Sequence, residues 1–549
     1  MNTAQYDYII IGAGSSGCVI AARLSEQRDC RVLILEAGSS DRKNIWIRVP
    51  LGVGKILPNQ KFVWPFATEP EAELQGKKIS QLRGKVLGGS GSVNGLAWVR
   101  GEPEEFDRWR EWGNIGWGFD DILPLYKKLE DYPHGDPAIR GHGGPMKIIN
   151  RGIWDPDPLS EAYRRACIEA GIPENDDYNG RNFEGVGYLQ QSIENGRRCS
   201  AATAYLWPAS SRPNLTVLTE AVATRVLFEG NRAIGVEFLH AGKRKQATAG
   251  QEVIISGGTY KSAHLLELSG IGDPKLLQDF GIPVVAANPN VGENLSEHLQ
   301  FRFSYECTQP ITINDIMASN MRRMYAGAQY LLTRRGFLSG TSSTVHALAK
   351  SDPSLQSPDL KIQLALISGK DRLARTREAG IDPFSGFSIG TFKIRPESRG
   401  SSHLNDPDPL KLPSIRINYL TPPGDIETYK RAVKIMRRIA AAPALQPFIK
   451  RETRPGPEVQ HDDDLIGYIR ETGQTAWHAI GTCRMGVDEK AVVDTRLRVK
   501  GVTNLRVADI SIMPSLVSPN TNAPAILIGE KAAVMIKEDA KRAVTAGSP

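Results

Sequence analysis

The chain has 549 residues, more than one hydrophobic core usually organises, so at least two domains are expected. Its 68 Lys and Arg against 61 Asp and Glu give a net charge of +7 without any long basic block, and 40% of the residues are hydrophobic, which fits a globular protein and gives no sign of a nucleic-acid partner. The six cysteines (Cys18, Cys30, Cys167, Cys199, Cys307 and Cys483) form no CxxC pair or metal-ligand spacing, which argues against a structural zinc site and a disulfide framework.

The N-terminus, MNTAQYDYIIIGAG, enters a strand pattern almost at once, with no basic leader and no cleavage site, and no apolar run is long enough to cross a bilayer. A cytoplasmic protein with no transmembrane span is therefore expected. Tyr8 to Ile11 is a short β-rich run leading into Gly12-Ala-Gly14-Ser15-Ser16-Gly17, and Cys18 to Leu24 then reads as helix. Gly12 permits the tight turn, Gly14 lets backbone approach a pyrophosphate, and Gly17 lets the helix pack against the strand, leaving phosphates at the helix N-terminus. A second buried strand, VLILEAG, ends in Glu36 and Ala37. Glu36 stands twenty-four residues after Gly12, where a carboxylate can accept ribose hydroxyls. The combination points to dinucleotide binding, and Glu36 would repel the 2′-phosphate of NADP. It does not separate FAD from NAD.

Farther along, Trp64 and the run SQLRGK are expected to form a lid or cofactor cover. GKVLGGSGSVNG, residues 84–95, is too rich in Gly and Ser for a helix or strand interior and predicts a loop lying close against a large ligand. VIISGGTYKSAHLLELSGIG, residues 253–272, again runs strand, glycine turn, helix. Two such units far apart in sequence predict one nucleotide-binding domain assembled from discontinuous segments. Met317, Met321 and Met324 recur at helical spacing, a stripe more often used for core packing than for a substrate surface. Near the C-terminus, QTAWHAIGTCRMG sets His478 beside a tryptophan. Alone, such a histidine is more often a packing residue than a base.

Taken together these segments resemble the glucose-methanol-choline (GMC) flavoprotein oxidoreductases, nearly end to end. GKVLGGSGSVNGLAWVRG is similar to the family's first signature through Asn94, Trp98 and Gly101. GTYKSAHLLELSGIG is similar to the second, with Ala263 where the family usually has Pro or Ser. GENLSEHL resembles its NLxDH element with Glu297 in place of Asp, a change expected to affect only local geometry. NLRVADISIMPSLVSPNTNAPAILIGEKAA resembles the last flavin-contacting strand and helix, with Pro519 in place of a more usual Gly before Asn520.

The resemblance implies an α/β fold. A Rossmann-like FAD-binding domain would be built from residues 1–150, 196–304 and 470–549. Residues 151–195 and 305–469 would form a substrate domain with an antiparallel sheet and helices. It implies FAD contacts from Gly12, Gly14, Ser15, Ser16, Gly17, Glu36, Ala37, Gly84, Val86, Gly88, Gly89, Ser90, Asn94, Gly95, Leu96, Val222, Asp509, Asn520 and Asn522. Some members tether the flavin through a histidine where this chain has Val93, so non-covalent FAD is expected. His478 and Asn520 match the catalytic pair. Hydride leaves a primary alcohol for flavin N5 as the hydroxyl proton is lost. A histidine of ordinary pKa about 6.5 can take that proton at physiological pH, and an Asn amide can steady the alkoxide. No metal is needed. The expected activity is oxidation of a primary alcohol by a dehydrogenase passing electrons to a quinone or dye, or by an oxygen-using aryl or aliphatic alcohol oxidase. A non-redox flavoprotein lyase on the same scaffold is the alternative. A quaternary ammonium substrate would need an aromatic cage with a carboxylate, for which Trp64, Tyr325 and Tyr330 are available aromatics.

Overall fold

A computed structural model describes residues 4–370 and 380–546. The strand Ala4–Ile11 lies at the centre of the first sheet. It runs parallel to Val32–Leu35 on one side, which is followed outward by Leu215–Leu218. On its other side lies Lys243–Ile255. The last residues of that long strand pair in parallel with Leu505–Val507, while its first half continues into an antiparallel extension through Arg232–His240 and Ala221–Glu229. All four residues of Val32–Leu35 are buried, as expected for a parallel strand covered on both faces. The first helix, Ser15–Leu24, packs on the C-terminal helix Asn522–Ala546. Ser16 Oγ donates to the Ala525 carbonyl at 2.6 Å, and a Cβ at Gly529 would stand 2.7 Å from the Ser16 carbonyl oxygen. Three remote stretches of chain thus make one sheet and its cover.

The second sheet is antiparallel throughout its main path, in the order Ile449–Arg454, Leu299–Cys307, Gly386–Lys393, Leu360–Ala365, Ser343–Ala349, Gly185–Tyr188. Side chains alternate across a strand, and here the alternation separates two environments. Phe301, Phe303, Leu360, Ile362 and Leu364 enter a core shared with the helices Pro158–Glu169 and Pro423–Ala440. Arg302, Lys361, Gln363 and Phe392 face a cavity between the two sheets. The architecture is the α/β fold with a parallel nucleotide-binding sheet and an antiparallel second sheet that the sequence predicts.

The methionine stripe departs from its expected place. Met317 packs against the second core, but Met321 and Met324 stand in solvent on helix Asn320–Thr333. That helix buries Ala326 and Tyr330 instead, so its inward stripe lies on the opposite side from the methionines.

Candidate active site

A single cavity runs from the glycine turn at Gly12 to the histidine at 478. At the first end, Gly14 caps helix Ser15–Leu24 without any side-chain bond to its first-turn amides, leaving those N–H groups to a ligand. The loop 84–95 lies directly on this turn: a Cβ at Gly89 would come within 2.7 Å of Gly14 Cα, and one at Gly91 within 2.9 Å of Ser15 Oγ. Ser15 Oγ in turn donates to Asn522 Oδ1 at 2.8 Å, so three remote segments meet at one point. A buried cation fixes the loop. Arg198 donates to Asn94 Oδ1 at 2.6 Å, to the Asn94 carbonyl at 2.8 Å and to the Gly91 carbonyl at 3.2 Å.

Glu36 closes the far side. Its carboxylate accepts the Ala13 amide at 3.0 Å and the Gly38 amide at 2.8 Å, one on each oxygen. Burial pushes its pKa up to about 7 against the pull of those two amides and of Lys85. Each oxygen keeps a lone pair for a further donor. Asp509 is committed to protein donors: it accepts the Gly258 amide at 2.8 Å, Ser262 Oγ at 2.6 Å and the Ser511 amide at 2.8 Å, joining the C-terminal segment to helix Gly258–Leu268.

The reaction end is built by a sharp turn. Gln474–Thr475 pairs with the start of Leu299–Cys307, and Trp477 then adopts φ 65°, a conformation costly for a bulky side chain. The turn is held from both sides. Thr475 Oγ1 accepts the Trp477 amide at 2.8 Å, and Glu297 Oε1 accepts the His478 amide at 2.7 Å. Glu297 is buried, accepts the His298 amide at 2.8 Å as well, and pairs with Arg83 at 3.2 Å. Burial pushes its carboxyl upward and Arg83 opposes this. Glu297 therefore sets the local geometry of the reaction end by anchoring the backbone of His478.

Proton positions along the imidazoles follow from one carbonyl. His298 Nε2 lies 2.6 Å from the Ile394 carbonyl oxygen, which can only accept, so the His298 proton sits on Nε2. Burial pushes the His298 pKa down to about 3, which keeps the ring neutral and its Nδ1 bare. His478 Nδ1 stands 3.0 Å from that bare nitrogen and must donate to it. In neutral His478 the lone pair is then on Nε2. Asn520 Nδ2 approaches that atom at 3.0 Å, with the amide oriented by Lys361 Nζ, which donates to Asn520 Oδ1 at 2.5 Å. Ser518 Oγ fixes the turn behind Pro519 by accepting the Asn520 amide at 3.2 Å and donating to its carbonyl at 2.8 Å. Phe392 stacks on His298 with ring centroids 4.5 Å apart. Glu297, His298 and His478 include the donor types of a metal site. Their near atoms are nonetheless bonded to one another: the two Nδ1 atoms share a hydrogen bond, and Glu297 is taken up by amides and Arg83.

A family model described as GMC oxidoreductase matches residues 6–300, and a second with the same description matches residues 396–529. The chain belongs to the GMC oxidoreductases. It is 38% identical over 97% of its length to the oxygen-dependent choline dehydrogenase of Vibrio vulnificus, covering 94% of that protein. It is 39% identical over 97% of its length to the alcohol dehydrogenase [acceptor] of Pseudomonas putida, covering 96% of that protein. Among solved structures it superposes on pyridoxine 4-oxidase from Mesorbium loti with a TM-score of 0.87 and 29% identity, covering 97% of this chain and 99% of that one.

This GMC oxidoreductase is accordingly an FAD-dependent enzyme acting on CH–OH donors. Its residues fit the cofactor. Gly95 and Gly258 have no atom within 4 Å of where a Cβ would stand, and Gly14 has only one, at 3.9 Å, so these positions give backbone access to the cavity. Of the expected cofactor residues, Gly12, Gly14, Ser15, Ser16, Glu36, Ala37, Gly84, Gly89, Ser90, Asn94, Gly95, Leu96, Val222, Asp509, Asn520 and Asn522 line the cavity. Gly17, Val86 and Gly88 do not. A Cβ at Gly17 would strike the Gly12 carbonyl at 1.9 Å, Val86 packs in a small core with Val63 and Val93, and Gly88 donates its amide to the Ala13 carbonyl at φ 84°. They shape the cradle from behind. Trp64, Leu82 and Arg83 line the cavity, as a cofactor cover should. Sequence reading missed His298, Lys361, Arg302, Gln363 and Arg198. The signal for two of them was present: Lys361 and Gln363 are the polar alternates in the otherwise apolar strand LKIQLA.

Proposed function

We propose that the enzyme oxidises a primary alcohol to the aldehyde, with His478 accepting the hydroxyl proton and Asn520 holding the oxygen, beside an FAD bound without a covalent link. The observation that carries this reading is the hydrogen-bond chain from Ile394 through His298, which leaves His478 Nε2 as an acceptor facing Asn520 Nδ2. A hydroxyl between these two atoms donates to Nε2 and accepts from Nδ2, replacing their direct bond without loss. Proton transfer to Nε2 leaves the oxygen negative, and the amide oriented by Lys361 stabilises it there. FAD supplies the hydride acceptor. Gly12, Gly14, Ser15 and Ser16 would hold its pyrophosphate, Glu36 its ribose, and the loop 84–95 would cover it. Val93, buried in a small apolar core at the family's tethering position, supports release of the intact cofactor.

The carboxylate that a quaternary ammonium would need does not line the reaction end among the described residues. The carboxylates that line the cavity among those residues, Glu36 and Asp509, are engaged at the cofactor end. Of the candidate cage aromatics, Tyr325 is exposed, Tyr330 bonds the Gly196 carbonyl, and Trp64 already carries Lys85 4.4 Å from its ring centroid. This supports an aliphatic or aryl alcohol over choline, with oxygen or a quinone-type acceptor taking the electrons. The domain division expected from sequence is part of the proposal. It is supported by the two sheets, with Leu299–Cys307 belonging to the substrate side. Six buried free thiols support a cytoplasmic setting.

Anaerobic addition of linear alcohols, benzylic alcohols and choline to the yellow holoenzyme tests the reading. Bleaching by an uncharged alcohol is expected. A flavin that stays oxidised with every alcohol contradicts the redox reading, and bleaching fastest with choline contradicts the charge argument.

A further inference from the structure

Helix Asn320–Thr333 carries an apolar face that nothing in the chain covers. Met321, Met324, Tyr325, Leu331 and Leu332 are between 65% (Leu331) and 85% (Leu332) exposed. At 100° per residue these five and Ala328 fall within one arc of about 120°. Single exposed apolar residues are ordinary, but five large ones on one helix stripe are not. The helix is held to the body by its other side, where Ala326 and Tyr330 are buried and Tyr330 Oη donates to the Gly196 carbonyl at 2.9 Å.

Within the helix and the two residues that follow it, the charge beside this stripe is of one sign. Residues 320–335 contain four arginines and no acidic residue. Arg322 and Arg323 flank the first turn. Arg334 lies over the Tyr330 ring at 5.0 Å, and Arg335 approaches Trp154 at 5.9 Å. The exposed Arg48 and Arg197, from other segments, act electrostatically on the Tyr330 phenol together with Arg334. Asp315 lies 3.7 Å from Arg322 and offsets one of these charges. After a short turn at Phe337–Ser339 the chain reaches Thr341, Ser342 and Ser343, which line the active-site cavity.

We propose that this helix docks on an anionic lipid surface, lying in the interface with its methionines and leucines among the acyl chains and its arginines among the headgroups. An apolar stripe rimmed by arginines is the pattern that an anionic bilayer complements through both burial and charge. No described helix is long and apolar enough to span a membrane, so attachment is peripheral and reversible. Docking holds the segment leading into the cavity wall close to the lipid. The proposal is independent of the assignment of His478.

The experiment sediments the full-length holoenzyme with phosphatidylcholine vesicles, alone or with about a third phosphatidylglycerol. The wild type should partition onto the anionic vesicles. Leu331→Ser with Leu332→Ser should weaken this by about tenfold or more, and Arg323→Gln with Arg335→Gln by several-fold in the same direction as added salt. All these side chains are exposed, so each variant should keep its flavin and its rate on a water-soluble alcohol. Wild-type protein that stays in the supernatant with both vesicle types overturns the proposal. So does undiminished binding by the serine variant. A dimer in light scattering that the serine variant splits, without vesicle binding, assigns the face to a second copy of the chain and also overturns it.

Discussion

Replacing His298 with leucine removes the acceptor that dictates where the His478 proton sits. His298 touches no substrate position, so it is a positioning residue, and its effect must pass through His478. In the variant, the His478 Nδ1 proton faces a side chain that cannot accept it. A buried donor left without a partner costs about 1 to 3 kcal/mol, and this penalty falls on the tautomer that keeps Nε2 bare. At about 1.4 kcal/mol per tenfold, flavin reduction should slow by roughly 10 to 10²-fold. His298→Gln should recover most of the rate, because an amide can accept from His478 and donate to the Ile394 carbonyl. Stopped-flow flavin reduction at saturating alcohol reads this step without product release or reoxidation. The decisive comparison is a double-mutant cycle: with His478 already alanine, His298→Leu should change the rate by less than about threefold, since there is no tautomer left to select. An equal loss in both backgrounds would show that His298 acts only by packing against Phe392, and the proton argument would fail.

Asn520→Ala should slow flavin reduction by about 10 to 10³-fold, a smaller loss than removal of the base, because one oxyanion donor disappears while the acceptor remains. A rate equal to wild type in stopped flow would leave Asn520 a turn residue. For Glu36, burial raises the folded-state pKa to about 7 from an ordinary 4.5, so the folded form holds a proton that the unfolded chain has already released. Glu36 should therefore contribute a loss of stability of roughly 3 kcal/mol to the flavin-free protein as pH rises from about 5 to about 7, read as the difference between wild type and Glu36→Gln in denaturant unfolding, since buried neutral histidines such as His298 act with the opposite sign in both proteins. An unchanged slope in the variant counts against the buried carboxylate as its source. With Val93 at the tethering position, acid precipitation should release all the flavin into the supernatant, and yellow colour remaining on the pellet contradicts that.

The cofactor half of the site was legible because its demands fall on the backbone. A turn with positive φ at Gly12 and a helix packed against a strand at Gly17 admit little but glycine, so the chemistry is written as residue type at fixed spacing. His478 was legible only through its neighbours along the chain. Its partner His298 lies 180 residues away, within the segment GENLSEHL, whose histidine has no evident task in the sequence. Lys361 and Arg302 were hidden because alternation in a strand shows which residues share a face without showing what that face meets. The same limit explains the methionines: helical spacing put Met321 and Met324 on one side, but only the packing of Ala326 and Tyr330 shows that this side faces solvent.

The central claim is that His478 takes the hydroxyl proton, and flavin reduction in His478→Ala tests it most directly. The side chain lines the cavity, and its backbone anchor to Glu297 does not depend on the imidazole, so the variant should fold and retain FAD. Its reduction by alcohol under anaerobic conditions should be slower by about 10² to 10⁴-fold. A folded, yellow His478→Ala protein whose flavin is reduced within a few-fold of the wild-type rate would contradict the account.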